Sequence, residues 1–291
     1  MRRTAPPLAQ VQPITRCLAE MQTSIVSAGI RAFDGWLDRF IIYTLLARVN
    51  GLVSAPVEAS ISIHAAAESL GKPYESVRRH VHVMIEQGLI ARQGRGLRVR
   101  RSKLAHGTLA DLLRLTHDSF VRFIEDLAST GETLPLRRHG VPYHFTTGAR
   151  AAVDILLAIT QTNRGTHDGW IDLVLFSTVV AANCRPDPID DEPDVAQMPV
   201  SAAAITRALA FSPTTTARRL SAMVRSSQLI RAGSGYRVNP AWLSHPDARA
   251  VTAHSLENVR RLLNTVAAQG FPFDDPASAY LDERPPWTPI G

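Results

Sequence analysis

The chain has 291 residues, 45 % of them hydrophobic and 20 % charged, with a net charge of +6 and a pI of about 9.9. That length bounds one or two domains, each able to bury a core, and the balance is that of an ordinary globular protein. Two cysteines, Cys17 and Cys184, are too few for a disulfide framework or a cysteine zinc site. No apolar run reaches the length of a membrane helix, and Arg2-Arg3 are followed by no apolar signal-peptide core, so a cytoplasmic protein is expected. The charge is uneven. Residues 1–145 hold 19 basic and 12 acidic side chains and the rest 13 and 14, so attraction to phosphate is expected mainly from the first half. All basic residues except Lys72 and Lys103 are arginines, which suit bidentate contact with phosphate or guanine.

In chain order, residues 1–13 carry three prolines and two arginines and read as a mobile tail. A helix is expected over Ile14–Ile30. Another opens at Asp34-Gly35-Trp36-Leu37-Asp38 with Asp34 as N-cap, and Ile41, Ile42, Leu45 and Leu46 form its apolar face. Ala66, Ala67 and Leu70 mark a short helix broken at Gly71-Lys72-Pro73. Val77, Val81 and Met84 mark the next, which Gly88 ends. Leu89-Ile90-Ala91 and Leu97-Arg98-Val99 flank Gln93-Gly94-Arg95-Gly96 as a β-hairpin. A long amphipathic helix then runs from Leu104 to Ser129. Residues 131–148 read as a linker, made basic by Arg137-Arg138-His139.

The pattern then recurs. Ala149–Ile159 repeats the first helix, and Asp168-Gly169-Trp170-Ile171-Asp172 repeats the second opening. Pro213 matches Pro73, Arg218-Arg219 match Arg78-Arg79, Leu229-Ile230 match Leu89-Ile90 and Gly235 matches Gly96, at an offset near 140 that shifts by one at turns. Ser244–Ala268 repeats the long helix. Residues 185–194, rich in proline and acid, form an insert without counterpart and read as a solvated loop. Residues 271–291 read as an irregular tail.

Helix, turn, helix and hairpin make a winged helix-turn-helix, whose second helix is of a size to enter the major groove of DNA. The runs Ser76-Val77-Arg78-Arg79, Gly88-Leu89-Ile90 and Gly94-Arg95-Gly96 resemble the DNA-binding half of GntR-type bacterial regulators, and are similar to the MarR type, over roughly forty residues. The order of elements in each unit resembles a MarR-type subunit, whose terminal helices pair two subunits. The expected fold is mainly α with small β-wings: two tandem winged helix-turn-helix units, 14–130 and 149–270, with flanking long helices and pseudo-two-fold symmetry. The flanking helices, Leu104–Ser129 and Ser244–Ala268, are expected to pack on each other.

The function this implies is that of a sequence-specific, double-stranded-DNA-binding transcriptional regulator, nucleoid-associated, reading an imperfect palindrome. Off the apolar stripe of the first recognition helix lie Tyr74, Glu75, Ser76, Arg78, Arg79 and His82. Arg78 is the expected base reader, Arg79 and Ser76 contact phosphate, and Arg95 and Arg98 in the wing enter the minor groove or touch its walls. In the second unit Thr214, Thr215, Thr216, Arg218, Arg219 and Arg225 hold these places, with Ser234 and Arg237 in the wing. Two other readings stand beside it: a tandem winged-helix protein-interaction module of the chromosome-condensing type, and a plasmid-type replication initiator. A homodimer of whole chains and a small-molecule effector stay open. Trp36 and Trp170 read as packing residues before they read as a ligand pocket.

Catalysis is not expected. His80 and His82 are two apart on one helix and cannot share a metal, no His-Glu-x-x-His, phosphate loop or Gly-x-Ser-x-Gly is present, and the acidic insert lacks the spacing of a calcium loop. No cofactor or metal is implied.

Overall fold

The computed structural model describes residues 8–52, 59–184 and 198–290. Residues 1–7 of the expected tail and the acidic insert at 185–194 lie outside the described residues. The chain is mainly helical, and the described residues form twelve α-helices and two separate two-stranded antiparallel sheets. The first half runs α1 (Leu8–Ala32), α2 (Leu37–Val49), α3 (Ile63–Leu70), α4 (Tyr74–Glu86), β1 (Ile90–Gln93), β2 (Gly96–Val99), α5 (Arg101–Ala105) and α6 (Thr108–Ser129). The second runs α7 (Phe145–Thr162), α8 (Trp170–Asn183), α9 (Ala202–Leu209), α10 (Pro213–Arg225), β3 (Leu229–Ala232), β4 (Gly235–Val238), α11 (Pro240–Leu243) and α12 (Pro246–Ala268).

Several boundaries differ from the sequence reading. Helix α1 starts at Leu8 with Pro13 inside it, so residues 8–13 are helical rather than part of a tail. Helix α7 starts at Phe145, within the expected linker. The first expected long helix is two, with Gly107, at φ 71°, separating α5 from α6, whereas the second is the single helix α12, preceded by the short α11. Asp34 is no N-cap. It sits at φ 54°, and α2 starts beyond Trp36.

A single offset relates the two halves from α3 and α9 onward. Helices α3 and α9, α4 and α10, and strands β1 and β3 begin 139 residues apart in each case. The ladders agree, with Ile90 opposite Val99 and Leu229 opposite Val238. The expected match of Arg218-Arg219 to Arg78-Arg79 is therefore one residue out: Arg218 corresponds to Arg79, and Arg219 to His80. Ser62 and Ser201 cap α3 and α9 through their hydroxyls, each accepting an N–H at 3.1 Å. The two hairpin turns, Gly94-Arg95 and Gly233-Ser234, place glycine at positive φ in the first position. A Cβ on Gly96 would collide with Ser60, and one on Gly235 with Pro199 and Val200. These glycines let Ile61 and Val200 bridge to Leu97 and Tyr236. A buried asparagine completes each junction. Asn50 Oδ1 accepts Val99 N–H at 2.8 Å, and Asn183 Oδ1 accepts Val238 N–H at 2.9 Å.

Helix α8 is apolar on every side and buried along nearly its whole length, as a core helix must be. Helix α1 packs on α6 of its own half and, nearly as extensively, on α8 of the other. The long helices do not pair with each other as expected; α6 packs on α1 and α7, and α12 mainly on α7. The halves also grip one another at the ends of α3 and α9. Ser27 Oγ and Arg31 Nη2 donate to Ala208 C=O at 2.6 and 3.0 Å. Arg164 donates to Ser69 C=O, and Trp170 Nε1 to Leu70 C=O at 3.4 Å. Trp170 is therefore the packing residue it was expected to be. Trp36 is 49 % exposed, with the Arg39 guanidinium 4.9 Å from its ring centre.

The last stretch is irregular but tied down. Phe271, Phe273 and Ile290 are buried, a 3-10 turn spans Pro276–Ala279, and Asp118 accepts the N–H groups of Leu281 and Asp282. Buried Arg122 donates to the carbonyls of Pro285 and Pro286 at 3.1 and 2.8 Å, with the Trp287 ring 4.0 Å from its guanidinium. Two cavities occupy matched places in the halves. One, of about 40 Å³, lies against Tyr43, Leu109 and Leu113. The other, of about 90 Å³, lies against Phe176, Ala248 and Thr252, whose side chains at the last two positions are smaller.

Candidate nucleic-acid interface

Helix α4 buries Val77, His80, Val81 and Met84 and turns the opposite face outward. Helix α10 buries Thr216, Leu220 and Met223, the residues at the same offset from Val77, Val81 and Met84. This decides which residues each helix offers to a partner. On α4, Tyr74, Glu75, Arg78, Arg79 and His82 are exposed and Ser76 is half-buried. On α10, Thr214, Arg218 and Arg225 are exposed and Thr215 is half-buried.

Two expected contact residues are corrected. Thr216 is fully buried, because it takes the core position that Val77 fills in the first half. Arg219 takes the place of His80 and points back to the start of α8, where Nη1 reaches Asp168 at 2.9 Å and Asp172 at 3.5 Å. His80 faces Asp38 at 3.7 Å in the same manner, and Lys72 Nζ lies 2.8 Å from that carboxylate. Burial pushes the His80 imidazole below, and the Asp172 carboxyl above, their ordinary values. Both residues fasten a helix to its own half. Thr215 is also engaged, since its hydroxyl accepts from Ser212 Oγ at 2.9 Å within the N-terminal cap of α10.

Arg78 is exposed and paired within its helix. Its Nε lies 2.9 and 3.0 Å from the two Glu75 oxygens, and its Nη2 lies 2.5 Å from Oε1. The hydrogen bonds hold the Glu75 carboxyl below its usual range. In the hairpins Arg95 and Ser234 stand exposed at the turns, whereas Arg98 and Arg237 are half-buried. Three exposed cations escaped the sequence reading: Arg92 and Arg100 on the first hairpin and Arg231 on the second, the last 4.5 Å from the Tyr236 ring centre. Period-two alternation puts Arg100 on the face of Arg98 and could have found it. The exposed arginines of the first segment, Arg78, Arg79, Arg92, Arg95 and Arg100, outnumber those of the second, Arg218, Arg225 and Arg231.

Among the described residues, no group of three or more His, Cys, Asp or Glu side chains is placed to hold a metal, and no helix is long and apolar enough to cross a membrane. No protein-family model, curated protein or solved structure matches this chain.

Proposed function

We propose that the chain is a sequence-specific, double-stranded-DNA-binding transcriptional regulator built of two winged helix-turn-helix units, with α4 and α10 as recognition helices and the two hairpins as wings. The observation that carries this reading is the exposed arginine set on α4 and along the first hairpin, Arg78, Arg79, Arg92, Arg95 and Arg100, on a helix whose opposite face is buried through Val77, His80, Val81 and Met84. A convex helix with a solvated polar face carrying Arg78 and Arg79, and a basic hairpin beside it, suits a major groove and the flanking phosphate walls. Arg218, Arg225 and Arg231 supply a thinner version in the second unit. Because α1 and α7 join the halves in one core, one chain presents both units, and the pair reads an imperfect palindrome.

Salt dependence of binding to duplex DNA tests the reading. Contact with about 6–8 phosphates gives a slope of log affinity against log salt of about −5 to −7. A slope near zero, or no binding to any duplex, would overturn it. It would then favour a protein-interaction module, a reading that the near-neutral second half and the exposed Tyr74 ring support.

A further inference from the structure

We infer, resting on the DNA-binding reading, that the two helices read chemically unlike half-sites: α4 one with a guanine, through Arg78 held by Glu75, and α10 one with a thymine at the matched position, through Ala217 and Thr214. The constant offset of 139 residues sorts the outward positions into pairs: Glu75 with Thr214, Arg78 with Ala217, Arg79 with Arg218, His82 with Ser221 and Glu86 with Arg225. Only Arg79 and Arg218 are alike. A cation that both units keep, whatever the neighbouring residues, suits what is identical in both half-sites, the phosphate backbone. Two of the pairs that differ, Glu75 with Thr214 and Arg78 with Ala217, occupy the first two turns of each helix, where side chains reach base edges.

The chemistry of the unlike pairs points to different bases. Glu75 and Arg78 lie one turn apart, and the carboxylate occupies the Nε–Nη2 edge of the guanidinium. The other edge, Nη1 with the second Nη2 hydrogen, remains directed away from Glu75 and matches guanine N7 and O6, the commonest bidentate base contact. Glu75 is thus a positioning residue: it fixes the arginine before DNA arrives, which lowers the cost of ordering a long side chain. On α10 the same turn presents the methyl of exposed Ala217 and the short side chain of exposed Thr214. Neither can reach N7 and O6 bidentately, and a methyl surface suits the thymine C5-methyl group.

The test is selection of bound sequences from random duplex DNA by the full-length protein and two exchange variants. Wild type is expected to recover two unlike half-sites, with guanine and thymine at the matched position. E75T/R78A/H82S gives α4 the side chains of α10 at three exposed positions, and should recover the thymine half-site twice. T214E/A217R should recover the guanine half-site twice. All five positions are outside the core, and circular dichroism identical to wild type would show that each variant folds. E75Q should keep guanine but lower its preference over the other bases by roughly tenfold, a change that a purely structural role would not produce. A symmetric wild-type motif, or exchange variants that leave the motif unchanged, would overturn the inference while the DNA-binding reading stands. Absence of any duplex binding would overturn that reading itself.

Discussion

His167 is a histidine held neutral by its surroundings. It is 6 % exposed, packs 4.9 Å from Phe176 between ring centres, and has Nδ1 3.1 Å from Gln228 Oε1. Burial pushes its pKa down to about 4, against a weaker upward pull from Gln228. The unfolded chain therefore takes up a proton near pH 6.5 that the folded chain refuses until about pH 4. Stability from this residue is whole above pH 6.5 and is lost as pH falls through that window, by about 2 kcal/mol at pH 5. Urea unfolding at pH 7 and pH 5 checks this: wild type should lose that amount, and His167→Gln clearly less, with the remainder including buried His80, whose pKa is also lowered. Equal losses in both proteins would show that His167 is not the source.

At the scale of elements, the helix ends separate the two copies. Gly71 and Gly88 follow α3 and α4 at φ 62° and 69°. At the same offset the second half has Ala210 at φ 52° and Ser227 at φ 58°. The left-handed region costs a residue with a Cβ about 1–2 kcal/mol and costs glycine almost nothing. Ala210→Gly is therefore expected to raise stability by about 0.5–1 kcal/mol, after the greater freedom of glycine in the unfolded chain is subtracted. Gly71→Ala is expected to lower it by about 1 kcal/mol, since the new Cβ adopts the strained φ and meets Arg164 at 3.4 Å. Thermal unfolding of the two variants checks both signs, and a destabilised Ala210→Gly protein would contradict the argument. The same ends explain why the match of α10 to α4 slipped by one residue in the sequence. Pro73 is the residue before α4, whereas Pro213 is the first residue of α10. Proline is tolerated at both positions, so aligning the prolines shifts the helix. Burial, with Thr216 in the place of Val77 and Leu220 in that of Val81, together with the hairpin ladders, fixes the register.

Across the whole molecule, α1 is the element that cannot be divided between halves. Its buried residues, among them Ile14, Leu18, Met21, Ile25 and Ile30, face α6 on one side and α8 on the other. Arg31 and Arg164 tie each half to the end of a short helix in the other. Unfolding by urea is thus expected to be one transition, with far-UV circular dichroism and tryptophan fluorescence coincident. Trp36 reports the first half and Trp170 and Trp242 the second. Residues 1–144 alone would expose the α1 face that α8 covers and are expected to lack fixed tertiary packing, seen as a flat near-UV spectrum. Two separated transitions in the full chain would show instead that the halves are independent domains.

The sequence by itself determined the local structure: the helical stripes of α3, α4, α9 and α10, the glycine turns of both hairpins, and the repetition that relates them. These follow from periodicity and turn chemistry within a dozen residues, which need no partner to be legible. The tertiary structure alone decided what α6 and α12 pack against, that Thr216 and Arg219 turn inward, and that the final residues are bound along α6 through Asp118 and Arg122. An apolar stripe specifies that a face must be buried but not which surface will bury it. Likewise a residue type such as arginine fits a solvated face, a phosphate contact or a buried ion pair, until the neighbours brought in by distant parts of the chain select one.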